Sequence, residues 1–256
     1  MRFRWSRAVP DSAKSYRVTL DRADRWHVAF AAIPDAVQGP GTGEIVGIDR
    51  GVAVSLALSN GEMLRSPAPS GRTIRLHRRL TRAKRGSNRR KRARARLARA
   101  LARDVDRRKD WAEKASTDIA RRFDVIRIED LKIPNMVRSA RGTIESPGKN
   151  VRQKSGMNRE ILGSGWGMFA RRLEQKAPGR VEKINPAFTS QRCSACGHLD
   201  AKSRESQARF VCTACGFACN ADVNAAINIA AGHAVNARGG DRVAGPVNRE
   251  PLVGAA

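Results

Sequence analysis

Acidic residues are scarce in this sequence: 24 Asp and Glu stand against 50 Lys and Arg in 256 residues, a net charge of +26. A surface so one-sided repels itself unless a polyanion neutralises it, so the composition points to nucleic acid as a partner. Long apolar runs are missing too. No stretch approaches the length that crosses a bilayer, and no apolar segment follows the opening Met1-Arg-Phe-Arg-Trp-Ser-Arg7. The expectation is a chain with neither a membrane segment nor an export signal, working in the cytoplasm close to the nucleoid. Histidine is rare, and His27, His77, His198 and His233 form no pair at ligand spacing. There is no Ser/His/Asp arrangement, no Walker-type phosphate loop and no nicotinamide or flavin fingerprint, which removes the common hydrolase, nucleotide-triphosphatase and redox classes.

Cysteine is also sparse, but its placement is informative. Cys193 and Cys196 are followed after fifteen residues by Cys212 and Cys215, and each couplet closes on a glycine, Gly197 or Gly216. In a reducing compartment such couplets are metal ligands rather than disulfides, and the spacing suits a tetrahedral zinc site on two tight turns. Cys219 is a fifth cysteine. Four ligands already complete the tetrahedron, so it reads as a small packing residue.

The remaining sequence divides by pattern. Residues 16–33 alternate as a hairpin, with Tyr16, Val18 and Leu20 on one strand and Trp26, Val28 and Phe30 on the other. A Gly/Pro-rich linker, Gln38–Gly43, follows. Residues 44–65 read as three consecutive antiparallel strands, with Asn60-Gly61 as a turn. Between residues 72 and 109 there are 18 Lys and Arg and two acids. This segment predicts a helix over 72–85, a break at Gly86-Ser87-Asn88, and a long helix over 89–122 with Leu97, Leu101, Val105, Ala112, Ala115 and Ile119 as its apolar stripe. Its densest part, Arg78, Arg79, Arg82, Lys84, Arg85, Arg89, Arg90, Lys91 and Arg92, is the expected nucleic-acid-binding surface. A solvated helical hairpin is the plainer reading. A short strand over 125–131, a mobile polar loop over 132–160, a helix over 166–176, a strand over 181–184, a helix over 222–231 and a disordered tail over 233–256 complete the expectation. Trp166 is read as a core residue at a helix start rather than a base-stacking platform.

Three acids fall at notable points. Asp49 ends a strand, Glu129 ends a later strand, and Asp222 opens the last helix. Brought together they would bind divalent cations, because like charges at short range raise one another's pKa and Mg²⁺ or Mn²⁺ removes that penalty. Two such ions support in-line displacement at a phosphodiester. Each acid also has a local explanation. Asp49 can cap a turn, Glu129 can be a surface acid beside Asp130, and Asp222 can cap a helix.

Taken in order, Gly47-Ile-Asp49-Arg-Gly51, Ile126-Arg-Ile-Glu129-Asp-Leu131, Thr189-Ser-Gln-Arg-Cys193-Ser-Ala-Cys196-Gly197, Cys212-Thr-Ala-Cys215-Gly216 and Asp222-Val-Asn-Ala-Ala-Ile-Asn-Ile229 strongly resemble the TnpB proteins. These are transposon-encoded relatives of type V CRISPR effector nucleases, also described as transposases of the OrfB zinc-ribbon type. The resemblance runs from about residue 1 to 232. It implies an α/β, ribonuclease H-like (RuvC) domain with an inserted basic helical hairpin and a zinc ribbon, preceded by a small β remnant of a wedge-like barrel. The implied organisation is a remnant over 1–40, a nuclease core over 41–190 with its basic insertion at 72–122, a ribbon over 191–217, and a last motif helix over 218–232. Full-length members carry a larger N-terminal portion, so this chain is expected to be shortened in front.

On that resemblance, Asp49, Glu129 and Asp222 are catalytic, zinc is structural, and Mg²⁺ or Mn²⁺ serves catalysis. DNA is the substrate, and an RNA from the transposon end is the guide. A non-catalytic nucleic-acid-binding remnant and a transposase that joins DNA ends are the rival readings.

Overall fold

A computed structural model describes residues 8–232. The tail expected over 233–256 lies outside the described residues. In chain order the elements are β1 (Ser15–Leu20), β2 (Trp26–Ala31), β3 (Ile45–Asp49), β4 (Leu56–Leu58), β5 (Met63–Leu64), α1 (Gly71–Thr81), α2 (Asn88–Arg122), β6 (Val125–Glu129), α3 (Ile133–Met136), α4 (Val151–Ser164), α5 (Trp166–Lys176), β7 (Val181–Ile184), β8 (Arg209–Val211), β9 (Ala218–Asn220) and α6 (Ala221–Ala230). Where the polar composition of 132–160 suggests a loop, there stand α3 and the 14-residue α4. The helix buries little, with Ile161 and Ser164 as its buried residues, so its apolar periodicity is too thin to read from sequence.

The chain forms two units. The first takes residues up to Ala36 and Pro67–Trp111. Its hairpin pairs Tyr16 with Phe30, Val18 with Val28 and Leu20 with Trp26, so the alternating apolar residues share a face as expected. Tyr16, Val18, Leu20, Trp26 and Val28 are all exposed. Arg25, beside the turn, bonds Asp21 at 2.8 Å and Asp106 of α2 at 2.5 Å. In α2 the buried positions of this unit are Ala93, Leu97, Ala100 and Asp104, a 3.6-residue stripe. Leu101 and Val105, expected in the stripe, are exposed instead. The buried Asp104 explains the shift. Its carboxylate accepts from the Thr73 hydroxyl at 2.6 Å, the Ser70 amide at 3.1 Å and Arg107 at 2.8 Å. Burial opposes its charge, but these donors hold it below the usual carboxylate range. Ser70 in turn caps α1 by accepting from the Thr73 amide. A polar side chain is thus the seam between α1 and α2, which hydrophobic periodicity alone cannot reveal.

The second unit takes Val37–Ser66 and the chain from Ala112 onward. It holds a five-stranded mixed sheet ordered β5-β4-β3-β6-β7. The three strands of residues 44–65 are antiparallel neighbours, as their alternation and turn predict, while β6 and β7 add on in parallel. Val46, Ile48, Leu56, Leu58, Ile126 and Ile128 are buried in the sheet, and Ile119, Phe169, Leu173 and Ile229 are buried on helices. Arg180 fastens the entry to β7 by donating to the carbonyls of Phe123, Val37 and Ala120. Trp166 is buried, and its indole N–H donates to the Gly51 carbonyl at 3.1 Å, the expected core role with a polar handle attached.

A carboxylate centre and a cysteine ribbon

The strand register brings two of the three singled-out acids together. β3 and β6 run parallel with Gly47 opposite Arg127 and Ile48 opposite Ile128, so Asp49 and Glu129 are the next step on adjacent strands. Side chains alternate along a strand, so Gly47 and Asp49 share a face with Arg127 and Glu129. Helix α6 crosses that face. A Cβ on Gly47 would collide with the Ala226 carbonyl and the Ala230 backbone, so only glycine lets the helix lie this close. Arg127 stands beside it, donating to the Ala230 carbonyl at 2.5 Å. From Ala226 back to Asp222 is one helical turn, about 6 Å of rise, and from Gly47 to Asp49 is two strand residues, about 6.6 Å. The helix start is thereby carried towards the strand ends. Asn220, not Asp222, is the N-cap: its side chain accepts from the amides of Asp222 and Val223. Asp222 is left free of that local duty.

Electrostatics agree with the gathering. Burial first, then the charges of Glu129 and Asp222, push the Asp49 carboxyl up to about 7 from an ordinary 3.8. Glu129 is also raised by its burial, although the Thr189 hydroxyl donates to its Oε1 at 2.8 Å. Asp222 is raised by burial, against the opposing pull of Arg204. Two arginines answer this charge. Arg50 is buried and donates to the Glu129 carbonyl, while its Nε has no hydrogen-bond partner among the described residues. Arg204 donates to Asp222 Oδ1 at 3.1 Å. A set of oxygen donors whose own charges oppose one another fits a hard divalent cation, which would be held by Asp49, Glu129 and Asp222. Their spacing is looser than a closed ligand set, since among the described residues only the four cysteines bring all their ligand atoms within 4.8 Å.

Those cysteines form the ribbon. Cys193 Sγ and Cys215 Sγ are 3.8 Å apart, and Cys196 Sγ and Cys212 Sγ 3.6 Å. A tetrahedral ion with Zn–S bonds near 2.3 Å sets its sulfurs about 3.8 Å apart, so the pocket fits zinc without rearrangement. The two couplets are built alike. The Gly197 amide donates to the Cys193 carbonyl and the Cys193 amide to the His198 carbonyl, while the Gly216 amide donates to the Cys212 carbonyl and the Cys212 amide to the Phe217 carbonyl. Both turns need positive φ at the glycine, 77° and 73°. Burial opposes ionisation of Cys212, yet the amides of Cys215 and Ala214 bring its thiol down to about 6. Cys193, Phe210, Cys212 and Ala221 form the small core, against which Phe217 and Cys219 pack. Cys219 therefore has the packing role expected of it.

Sequence reasoning missed the residues that join ribbon to sheet. Asn224 is buried in α6, donates to the Arg192 carbonyl at 2.7 Å and accepts from the Ser194 amide at 3.0 Å. Asn228, one turn on, donates to the carbonyls of Thr189 at 3.0 Å and Arg192 at 2.8 Å. The signal was present as two asparagines four residues apart on an otherwise apolar helix, which place both amides on one face. Thr189, Arg50 and Arg204 carry no comparable spacing.

The expected nucleic-acid residues lie in the first unit. Arg78 and Arg79 are on α1, Arg82, Lys84 and Arg85 are in the connection after it, and Arg89, Lys91 and Arg92 are in the first turns of α2, all exposed. Arg90 differs: it is half-buried and donates to the carbonyls of Leu80 at 2.8 Å and Ala83 at 3.0 Å, closing the end of α1.

The structure sets a mixed sheet with acids at two strand ends together with a four-cysteine ribbon, and known proteins resemble this chain over most of its length. The family model OrfB_IS605, described as a probable transposase, matches residues 27–140, and the Cas12f1-like TNB domain model matches residues 166–229. By these matches the chain is similar to the TnpB family. It is 39% identical over 263 residues to the "Putative RNA-guided DNA endonuclease InsQ" of Escherichia coli (strain K12), a match covering 98% of this chain and 65% of that protein. It is 34% identical over 247 residues to a "Putative RNA-guided DNA endonuclease" of Streptomyces pristinaespiralis, covering 92% of this chain and 58% of the relative. A 56-residue stretch, 22% of this chain and 13% of the other, is 55% identical to the "CRISPR-associated endodeoxyribonuclease Cas12f1" of Sulfoacidibacillus thermotolerans. The chain thus spans less than two thirds of the length of the first two relatives. No described helix is long and apolar enough to cross a membrane.

Proposed function

We propose that this protein is a metal-dependent DNA endonuclease of the TnpB type, with a ribonuclease H-like core and an RNA guide as partner. The observation that supports the reading is that Asp49 is raised to about 7 by burial and then by the charges of Glu129, on the neighbouring strand, and of Asp222. The names of the relatives, RNA-guided DNA endonucleases, support the substrate and the guide.

The three carboxylates would hold Mg²⁺ or Mn²⁺. When bound, such ions activate water and stabilise the developing charge of a phosphodiester displacement. The chain's own residues do the rest. Thr189 orients Glu129 through its hydroxyl, and Arg50 fixes the backbone of the same residue. Asn220 caps α6, so that Asp222 faces the site rather than its own helix end. Zinc on Cys193, Cys196, Cys212 and Cys215 would hold the ribbon, which in turn carries Arg204 to Asp222. The arginine-rich helices supply affinity, since phosphate contacts position a partner without specifying sequence.

The test is cleavage of guide-matched and unmatched DNA by the wild type and by Asp49→Asn, Glu129→Gln and Asp222→Asn. Loss of cutting in all three, with nucleic-acid binding retained, is expected. A wild type that binds with steep salt dependence but cuts nothing in Mg²⁺ or Mn²⁺ would favour the passive binder. Joined rather than cut DNA ends would favour the transposase.

A further inference from the structure

Within the basic segment, five arginines surround a single cavity. Arg75, Arg78, Arg79 and Arg82, at positions i, i+3, i+4 and i+7 along one face of α1 and its end, meet Arg89 from the first turn of α2 around a space of about 400 Å³, with buried Ala83 among its walls. Among the described residues no carboxylate pairs with any of the five. The corner is held from behind. Arg90 spends its guanidinium on the Leu80 and Ala83 carbonyls, so the turn from α1 into α2 is fixed before any ligand arrives. The start of α2 adds to the imbalance. Its first turn contains no acid and opens Asn88-Arg-Arg-Lys-Arg92, placing cations at the positive end of a 35-residue helix. Cations there are unfavourable until an anion neutralises them.

We propose that this cavity is a phosphate-recognition site for folded RNA, taking a sharp backbone turn at which phosphates of several nucleotides converge. The inference rests on the reading of the chain as a nucleic-acid-acting protein and says where and how one partner is held. A regular duplex carries its phosphates along convex ridges, which touch a flat basic surface well but do not fill a concave one. A tight RNA turn presses phosphates together at a repulsive cost, and guanidinium groups with planar donor forks offset that cost. The site thus reads backbone shape, and the basic segment divides into three roles. The five cavity arginines recognise a fold, Arg90 builds the corner, and the outward cations of α2 add general attraction.

The experiment uses the full chain and three labelled probes: a bulged hairpin RNA, an oligo-uridine of equal length, and a DNA duplex, each titrated by fluorescence anisotropy across a KCl series. Arg78→Gln/Arg82→Gln is compared with Arg94→Gln/Arg99→Gln, which removes the same charge from exposed positions outside the cavity. Helix content by circular dichroism confirms that both fold. The cavity pair is expected to lower affinity for the bulged hairpin about tenfold and to flatten its salt slope by roughly 1.4, while its effect on the other two probes matches that of the control pair. An equal loss on all three probes, or an equal loss on the hairpin from the control pair, would overturn the proposal and leave a general basic face. A wild type that binds none of the probes would instead remove the nucleic-acid reading beneath it.

Discussion

Arg204 of the cysteine ribbon donates to the Asp222 carboxylate of α6 at 3.1 Å. The same guanidinium also opposes the raised pKa values of Asp49 and Glu129, so it is a resident countercharge for the whole acidic centre. A divalent cation held there, as proposed, would therefore compete with Arg204 for Asp222. Replacing it, Arg204→Ala, should tighten Mn²⁺ binding by about tenfold, as removal of a unit charge beside a partly buried site does. Titration calorimetry of the zinc-loaded protein reads the change. Unaltered or weaker Mn²⁺ binding would show that the arginine does not compete.

The acidic centre also sets a pH dependence with a definite sign. Asp49 titrates near 7 in the folded chain against an ordinary 3.8, so the folded state holds more protons than the unfolded state between those values. Its contribution is intact below about pH 4 and is lost as pH rises towards 7. Glu129 and Asp222 are shifted in the same direction. In buffer free of divalent cations but with zinc retained, the melting temperature should fall between pH 5 and pH 8, and Mg²⁺ should restore it. Asp49→Asn should flatten the trend. The same slope in that variant would place its origin elsewhere.

The ribbon should carry close to one zinc per chain, released in proportion to added chelator. Cys193 and Cys212 lie in the ribbon core beside Phe210, so metal loss unpacks the ribbon itself. Because Asn224 and Asn228 bind the strap that leads into it, unpacking should also disturb Mn²⁺ binding at the carboxylates. Elemental analysis of wild type and Cys196→Ser checks the first point, and Mn²⁺ titration before and after chelation the second. A zinc-free protein with unchanged melting and unchanged Mn²⁺ affinity would contradict both.

Gly47→Ala tests the packing that gathers the acids. The atoms a methyl would meet are the backbone of Ala226 and Ala230, which cannot rotate aside. The helix must lift, at a cost of about 2 kcal/mol. Denaturant unfolding should show that loss, and Mn²⁺ affinity should weaken because Asp222 moves with α6. A variant as stable as the wild type would mean that the helix has room.

Much of this was legible in advance where one residue's neighbours in sequence decide its role. The C-x-x-C-G couplets are local turns, so their spacing alone predicts the paired knuckles seen at Cys193–Gly197 and Cys212–Gly216. The alternation of 16–20 and 26–30 gave the hairpin and its common face, and apolar runs located β3, β6 and β7. Helix α4 was hidden because so few of its side chains are buried, and the α1–α2 seam was hidden because Asp104 fills it.

The sequence by itself determined the charge, the knuckles, most of the elements and the identity of three acids, because each follows from composition or from residues a few positions apart. Only the tertiary structure decided that Glu129 and Asp222 come near enough to raise Asp49, that Arg204 pairs with Asp222, and that five arginines line an open cavity while Arg90 turns inward. Those facts depend on parallel pairing between residues eighty positions apart and on a helix brought against Gly47 from much later in the sequence. Contacts of that kind are fixed by packing and by the burial of polar groups against one another, which no local pattern encodes.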